Sequence, residues 1–183
     1  MQKISTKRST ALYDAIVASA VHLKNKARVE RKVLLVIADG RDSASQETLQ
    51  EAMRRLQQKR GPTIYAIGLF KPSDSGALRS LADSTGGVAF LPKSPDEVDD
   101  ITRTVASDIH SQYTIGYKST NHNQGGAYRV VAVRAQARGY HELTVRTRTG
   151  YYPCDTVPLK CRFHNLGSQP TTGRIDPYAA ALP

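Results

Sequence analysis

The sequence contains no tryptophan, and among its 183 residues there are only three phenylalanines, two methionines and two cysteines. Two cysteines exclude a disulfide-dense scaffold. Cys154 and Cys161 are also too few for a zinc site without His164, and their spacing matches no common zinc pattern, so they read as two thiols or one local disulfide closing a short loop. Long hydrophobic runs are absent as well. The most apolar stretch, Val33 to Ala38, falls far short of the roughly 20 residues a bilayer span needs. The polar, basic opening from Met1 to Lys7 is followed by no signal-peptide core. Acidic residues are scarce: 16 Asp+Glu stand against 26 Lys+Arg, a formal charge of +10, with a mean hydropathy of -0.44.

Such a charge attracts phosphate backbones, anionic lipids or acidic proteins. The basic residues are nevertheless dispersed, from Lys24, Lys26, Arg28, Arg31 and Lys32 through Arg54, Arg55, Lys59 and Arg60 to Arg129, Arg134, Arg138, Arg146 and Arg148. No RNA-binding aromatic signature, zinc-finger spacing or uninterrupted basic helix accompanies them, which disfavours nucleic acid as the partner.

What is present is an alternation of two periodicities. Leu12, Ile16, Ala20 and Leu23 recur at helical spacing, predicting an amphipathic helix from Ala11 to Leu23 entered through Ser9 and Thr10. Val33 to Ala38 is a continuous apolar run ending at Asp39-Gly40, as in a strand covered on both faces. Ser43-x-x-Gln46 predicts a capping box, with Leu49, Met53 and Leu56 continuing that helix to Gly61-Pro62. Thr63 to Leu69 reads as a second strand, Ala77 to Ser84 as a helix closed by Gly86-Gly87, and Val88 to Leu91 as a third strand. Ser94-Pro95-Asp96-Glu97 predicts an N-cap and capping box for a helix burying Val98, Ile101, Val105 and Ile109. The order of elements is that of a doubly wound, Rossmann-like α/β sheet flanked by helices. Tyr113 to Lys118, Tyr128 to Ala137 and Glu142 to Thr147 then suggest a small antiparallel β extension. The expected organisation is an α/β unit over 8–112, the extension over 113–153 and a flexible tail over 154–183.

Ligands of open parallel sheets collect at the carboxyl ends of the strands. Asp39 stands at such an end, followed by Asp42, and Thr10 at the entrance of the preceding helix. A carboxylate and a hydroxyl converging there suit a hard divalent cation such as Mg2+. The same residues equally serve to shape a turn and cap a helix, and spacing alone favours that structural role.

Ser9 to Ile16, Val36 to Asp42 and Ile64 to Leu69 together resemble the later part of a von Willebrand factor type A (VWA) domain, most closely VWA-related proteins of the acidobacterial type. The likeness continues through Thr85 to Phe90, Ser111 to Tyr117 and Arg148 to Pro153, covering about Arg8 to Pro153. The resemblance implies a partial VWA sheet and a metal-ion-dependent adhesion site, whose cation takes a carboxylate from a protein partner. Thr10 and Asp39 match two of the family's ligands, with Ser9 and Asp42 beside them. The family's Asp-x-Ser-x-Ser element has no counterpart before Thr10, and Lys7 and Arg8 place positive charge at the site. Mg2+ binding is therefore expected to be weak or lost, the site incomplete and the chain N-terminally truncated. The missing family strand would leave Val33 to Ala38 as an edge open to another chain, so self-association is a further expectation. The resemblance points to export for a full-length form, leaving the compartment of this chain unassigned.

The leading expectation is a non-catalytic protein-interaction module. Two alternatives stand beside it: an enzyme using Asp39 as phosphoryl acceptor or metal-bound base, and an electrostatic polyanion binder. The enzyme reading lacks a phosphate-cradling glycine loop or a nucleophile elbow, and His22, His110, His122, His141 and His164 are scattered.

Overall fold

The computed structural model describes residues 9–29, 31–39, 41–58, 60–69, 75–117, 119, 126–139 and 143–153. Met1 to Arg8, with the basic pair Lys7 and Arg8, and the 154–183 segment carrying both cysteines lie outside the described residues.

Nine elements follow in order: α1 (Leu12–Lys26), β1 (Val33–Ala38), α2 (Leu49–Leu56), β2 (Thr63–Gly68), α3 (Gly76–Thr85), β3 (Ala89–Phe90), α4 (Glu97–His110), β4 (Arg129–Val130) and β5 (Gly150–Tyr151). β1, β2 and β3 form a parallel sheet in that order, with Val33 opposite Thr63 and Ala38 opposite Gly68. Parallel neighbours need crossover connections, and α2 and α3 supply them. The α/β expectation holds, and the chain folds as a three-stranded parallel sheet flanked by helices with a small antiparallel pair, β4 and β5. No helix among the described residues is long and apolar enough to cross a membrane.

Side chains alternate across a strand, so β1 and β2 each present two faces. On one face Leu34, Val36, Ile64 and Ala66 join a single apolar cluster with Leu12 and Ile16 of α1, Leu56 of α2 and Leu78 and Leu81 of α3. On the other face Tyr65 and Ile67 of β2 are buried, yet Leu35 and Ile37 beside them on β1 are 40% and 59% exposed. Among the described residues no strand pairs with the outer side of β1, and β1 is covered on one face only, not on both as its continuous apolar run suggests. Past the end of α4, the Gln112 amide nitrogen donates to the Tyr65 hydroxyl at 3.3 Å, and Arg31 donates to the Gln112 carbonyl at 3.3 Å.

α1 runs one turn beyond its expected end, with Asp14 in its first turn and Lys24 and Lys26 in its last, both complementing the helix dipole. α3 ends as expected. Gly86 adopts φ +85° at its C-cap, and a Cβ there would meet the Arg148 backbone nitrogen at 2.7 Å. Gly87 lies closer still to its neighbour, since a Cβ would stand 1.8 Å from the Ile64 carbonyl oxygen. Beside it the Thr85 hydroxyl, buried, accepts the Ile64 N–H at 2.9 Å.

Three sequence expectations need correction. The capping box of α2 is Thr48 with Glu51, not Ser43 with Gln46, and the helix begins only at Leu49. Residues 43–47 are held elsewhere, because Asp14 of α1 accepts the N–H groups of Gln46 at 2.9 Å and Glu47 at 3.1 Å. α4 has Asp96 at its N-cap with no side-chain cap; Ser94 contributes its carbonyl to the Glu97 N–H, and the Glu97 carboxylate takes the Lys93 N–H at 3.0 Å. Of its expected buried face only Val105 is fully covered. Within 113–117, 131–137 and 143–147 no strand forms, and Tyr113, Ile115 and Tyr117 are exposed; the antiparallel ladder is confined to Arg129–Val130 against Gly150–Tyr151.

The β4–β5 pair meets the end of α2 around one buried side chain. Gln57, just past α2, has its amide nitrogen 3.1 Å from the Thr149 hydroxyl, 3.2 Å from the Tyr128 hydroxyl and 3.3 Å from the Ser84 carbonyl, three acceptors that share its two hydrogens. The Gln57 backbone carbonyl accepts the Tyr152 N–H at 3.1 Å. Arg148 is held nearby, donating to the Gly61 carbonyl at 3.0 Å, and burial pulls its pKa down.

Candidate functional site

The carboxyl end of β1 leads through Asp39 into a loop that returns along the start of α1. The loop is fastened there by both backbone and side chains. Thr10 donates its N–H to the Ser43 hydroxyl at 2.9 Å, and its carbonyl accepts from the Ser43 and Ala44 N–H groups at 2.9 and 3.2 Å. Asp14 donates its N–H to the Ser45 hydroxyl at 3.1 Å.

Asp42 occupies the centre of this junction. One carboxylate oxygen accepts the N–H groups of Leu12 at 2.7 Å and Tyr13 at 3.3 Å, and the Ser45 hydroxyl at 2.5 Å; the other accepts the Ser45 N–H at 3.3 Å. The first N–H groups of a helix have no partner within it and favour a nearby anion. Ala11, the N-cap of α1, offers no side-chain oxygen, so a residue 30 positions downstream supplies the cap. Desolvation pushes the Asp42 pKa up, but the hydrogen bonds from Ser45, Tyr13 and Leu12 outweigh it and hold the carboxyl below its usual range. Burial and the Asp42 charge in turn raise the Tyr13 hydroxyl.

The structure separates the four sequence-predicted residues by role. Thr10 is fixed to the loop through its backbone, and it does not cap α1 with its side chain, contrary to the structural alternative drawn from spacing. Asp39 is exposed at the strand end, one oxygen accepting the Arg41 N–H at 3.2 Å. Ser9 is exposed. Asp42 is committed to the helix start. Asp14 and Ser45 complete the junction, and sequence reading gave neither a role in it; an acidic residue in a first helical turn signals only a favourable dipole contact.

The donors can be weighed against a divalent cation. Mg2+ takes oxygen ligands octahedrally and commonly uses one or two carboxylates with several waters. The exposed donors at this end include the Ser9 and Thr10 hydroxyls and the Asp39 carboxylate, one oxygen of which accepts the Arg41 N–H, while both oxygens of Asp14 and of Asp42 accept backbone N–H groups. Among the described residues no three His, Cys, Asp or Glu side chains gather into a metal-holding group. The exposed oxygens of Thr10 and Asp39 are of the hard type that could contribute to the shell of such an ion. At the opposite end of the sheet, a cavity of about 460 Å³ lies between α1 and α2, with Val17, Ala20 and Pro62 in its lining and Lys24, Arg54 and Arg55 among its charged residues.

No curated protein and no solved structure matches the chain. The family model of the von Willebrand factor type A domain matches residues 2–104, more than half of the sequence. With the parallel sheet, its crossover helices and the loop locked at the β1 end all lying in the matched stretch, the chain belongs to the von Willebrand factor type A domain family.

Proposed function

We propose that this chain is a non-catalytic protein-interaction module whose partner-facing end is the β1 carboxyl end, and that the cation site there, Thr10 and Asp39 with Ser9 and Asp42 beside them, is incomplete. Domains of this family generally mediate protein–protein contacts rather than catalysis. One observation carries the reading of an incomplete site: Asp42, the second carboxylate of the Asp39 loop, is spent on the N–H groups of α1. A divalent cation, when bound, would supply a positive centre for a partner carboxylate. The chain's own part is to present Thr10 at the entrance of α1 and Asp39 at the end of β1, where Asp14 and Asp42 keep the following loop in place.

Isothermal titration of the purified chain with Mg2+ is expected to show affinity on the order of millimolar or weaker. Asp39→Asn should remove what binding there is, and Thr10→Val should weaken it. Tight, stoichiometric Mg2+ binding would overturn the incomplete site. Partner capture unchanged by both substitutions would count against this end as the partner-facing surface.

A further inference from the structure

The cavity between α1 and α2 is lined by side chains of two kinds. Val17, Ala20 and Val21 of α1, Leu56 of α2 and Pro62 before β2 give it an apolar wall. Val17, Ala20 and Leu56 belong to the core, whereas Val21 keeps 46% of its surface exposed. Lys24 and Arg54 bring positive charge to the lining, each from the last turn of its helix. A cation in that position ordinarily answers the helix dipole. Arg54 is placed more narrowly than a dipole requires. Its guanidinium carbon lies 5.3 Å from the centre of the Tyr152 ring, which packs on the Tyr128 ring at 5.1 Å and whose N–H is bonded to the Gln57 backbone carbonyl. A ring contact takes the face of a guanidinium and leaves its in-plane N–H groups for an acceptor.

The neighbouring charges are already engaged. Arg55 has its Nε 3.1 Å from a Glu47 oxygen, and among the described residues no carboxylate meets Arg54 in that way. Glu51, also in the lining, belongs to the first turn of α2, and one of its oxygens accepts both the N–H and the hydroxyl of Thr48. Arg148 adds a further cation beside the cavity, donating to the carbonyl of Gly61 in its lining at 3.0 Å.

We infer that this cavity binds a small amphiphilic carboxylate, its single apolar chain along Val17, Ala20 and Val21 and its carboxylate on the N–H edge of Arg54. A volume of about 460 Å³ falls among small-molecule sites, which are mostly apolar and use a few polar groups to orient the ligand. The guanidinium edge matches a carboxylate through two parallel N–H···O bonds. Residues 17 to 24 run about 10 Å along the axis of α1, at about 1.5 Å per residue, which bounds the chain that this wall can cover. The charge around Arg54 sets the sign of the ligand, and a second +10 copy of the chain would meet like charge here.

The cavity stands at the opposite end of the sheet from Thr10 and Asp39, so the inference is independent of the cation reading and its test is run with a chelator present. Titration calorimetry of the full chain with sodium decanoate should show one site with a Kd of about 10–100 µM. Octanoate and hexanoate should bind more weakly by about three- to fourfold for each CH2 removed. Decanol, which lacks the charge, should bind about tenfold or more weakly than decanoate. Arg54→Gln should weaken decanoate about tenfold or more and leave decanol unchanged, a split that loss of folding would not produce. Val21→Glu, at an exposed position, should abolish decanoate binding by setting a carboxylate against the ligand's own. A full chain that takes up no decanoate, equal affinity for decanoate and decanol, or binding indifferent to both substitutions would each overturn the inference. So would a cavity that rejects decanoate and takes an acidic, leucine-bearing peptide, because its occupant would then be a protein.

Discussion

At the scale of single residues, Asp42 has the clearest energetic role. It is a helix cap delivered from another part of the chain, and replacing a capping Asp by Ala typically costs about 1–2 kcal/mol. Asp42→Ala should therefore lower the midpoint of chemical denaturation by that free energy and free the 41–48 loop to amide exchange. The pH dependence follows from the direction of its shift. A carboxyl whose folded pKa lies below its unfolded value stabilises fully above the unfolded pKa, near 4, and loses that contribution as pH falls through the folded value. The wild type should thus lose loop protection below about pH 4, and Asp42→Asn, which keeps an acceptor oxygen but no charge, should lack this component. An equal acid response in both proteins would dissociate the loop from Asp42. None of this was legible locally, because the partners of Asp42 are the amides of Leu12 and Tyr13, and backbone groups leave no mark in a sequence.

At the scale of elements, legibility followed how local the determining forces are. The continuous apolar run of β1, the i, i+4 recurrence of Leu12, Ile16 and Ala20, and Gly86 after α3 each carry their own cause, and each element formed in its expected place, α1 running one turn further. The start of α2 did not, because Ser43-x-x-Gln46 and Thr48-x-x-Glu51 both suit a helix start and distant Asp14 decides between them. The strands expected over 113–147 were overestimated for a related reason: alternating side chains make a strand only where a neighbour accepts its backbone. Gln57 meets Tyr128 and Thr149 beside the one ladder that forms, and nothing in its flanking residues announces it. Gln57→Leu would remove the amide from this cluster and leave the Tyr128 and Thr149 hydroxyls bonded only to each other and, from Thr149, to the Ser84 carbonyl, and should destabilise the fold by about 1 kcal/mol. Limited proteolysis should then cut between 113 and 149 before it cuts β1 or β2. Unchanged protection of the extension would show that Arg148 and the Arg146–Asp108 ion pair, at 2.7 Å, hold it without Gln57.

At the scale of the whole molecule, the +10 charge and the protein-interaction reading make separable predictions. Electrostatic capture of a polyanion releases counterions and is strongly salt-dependent. Heparin or duplex DNA should bind at low salt and, with about six phosphates contacted, lose about 10³-fold in affinity between about 50 and 200 mM. That binding should be indifferent to Thr10→Val and Asp39→Asn, whereas capture of a protein partner at the β1 end should not be. Polyanion binding that persists at high salt would require a specific site that dispersed basic residues do not provide.

The Gln57 junction also orders events in time. Gln57 and Thr149 stand 92 positions apart, so during synthesis the amide emerges long before the hydroxyl it will meet. β1, β2 and α3 can pack while the ribosome is still extending the chain, with the side of Gln57 that will hold the extension facing water until Tyr128, Thr149 and Tyr152 have emerged. Docking of β4 and β5 is then expected to follow packing of the parallel sheet. A nascent chain arrested before residue 149 should already resist protease across the parallel sheet while its newest segment remains open to attack.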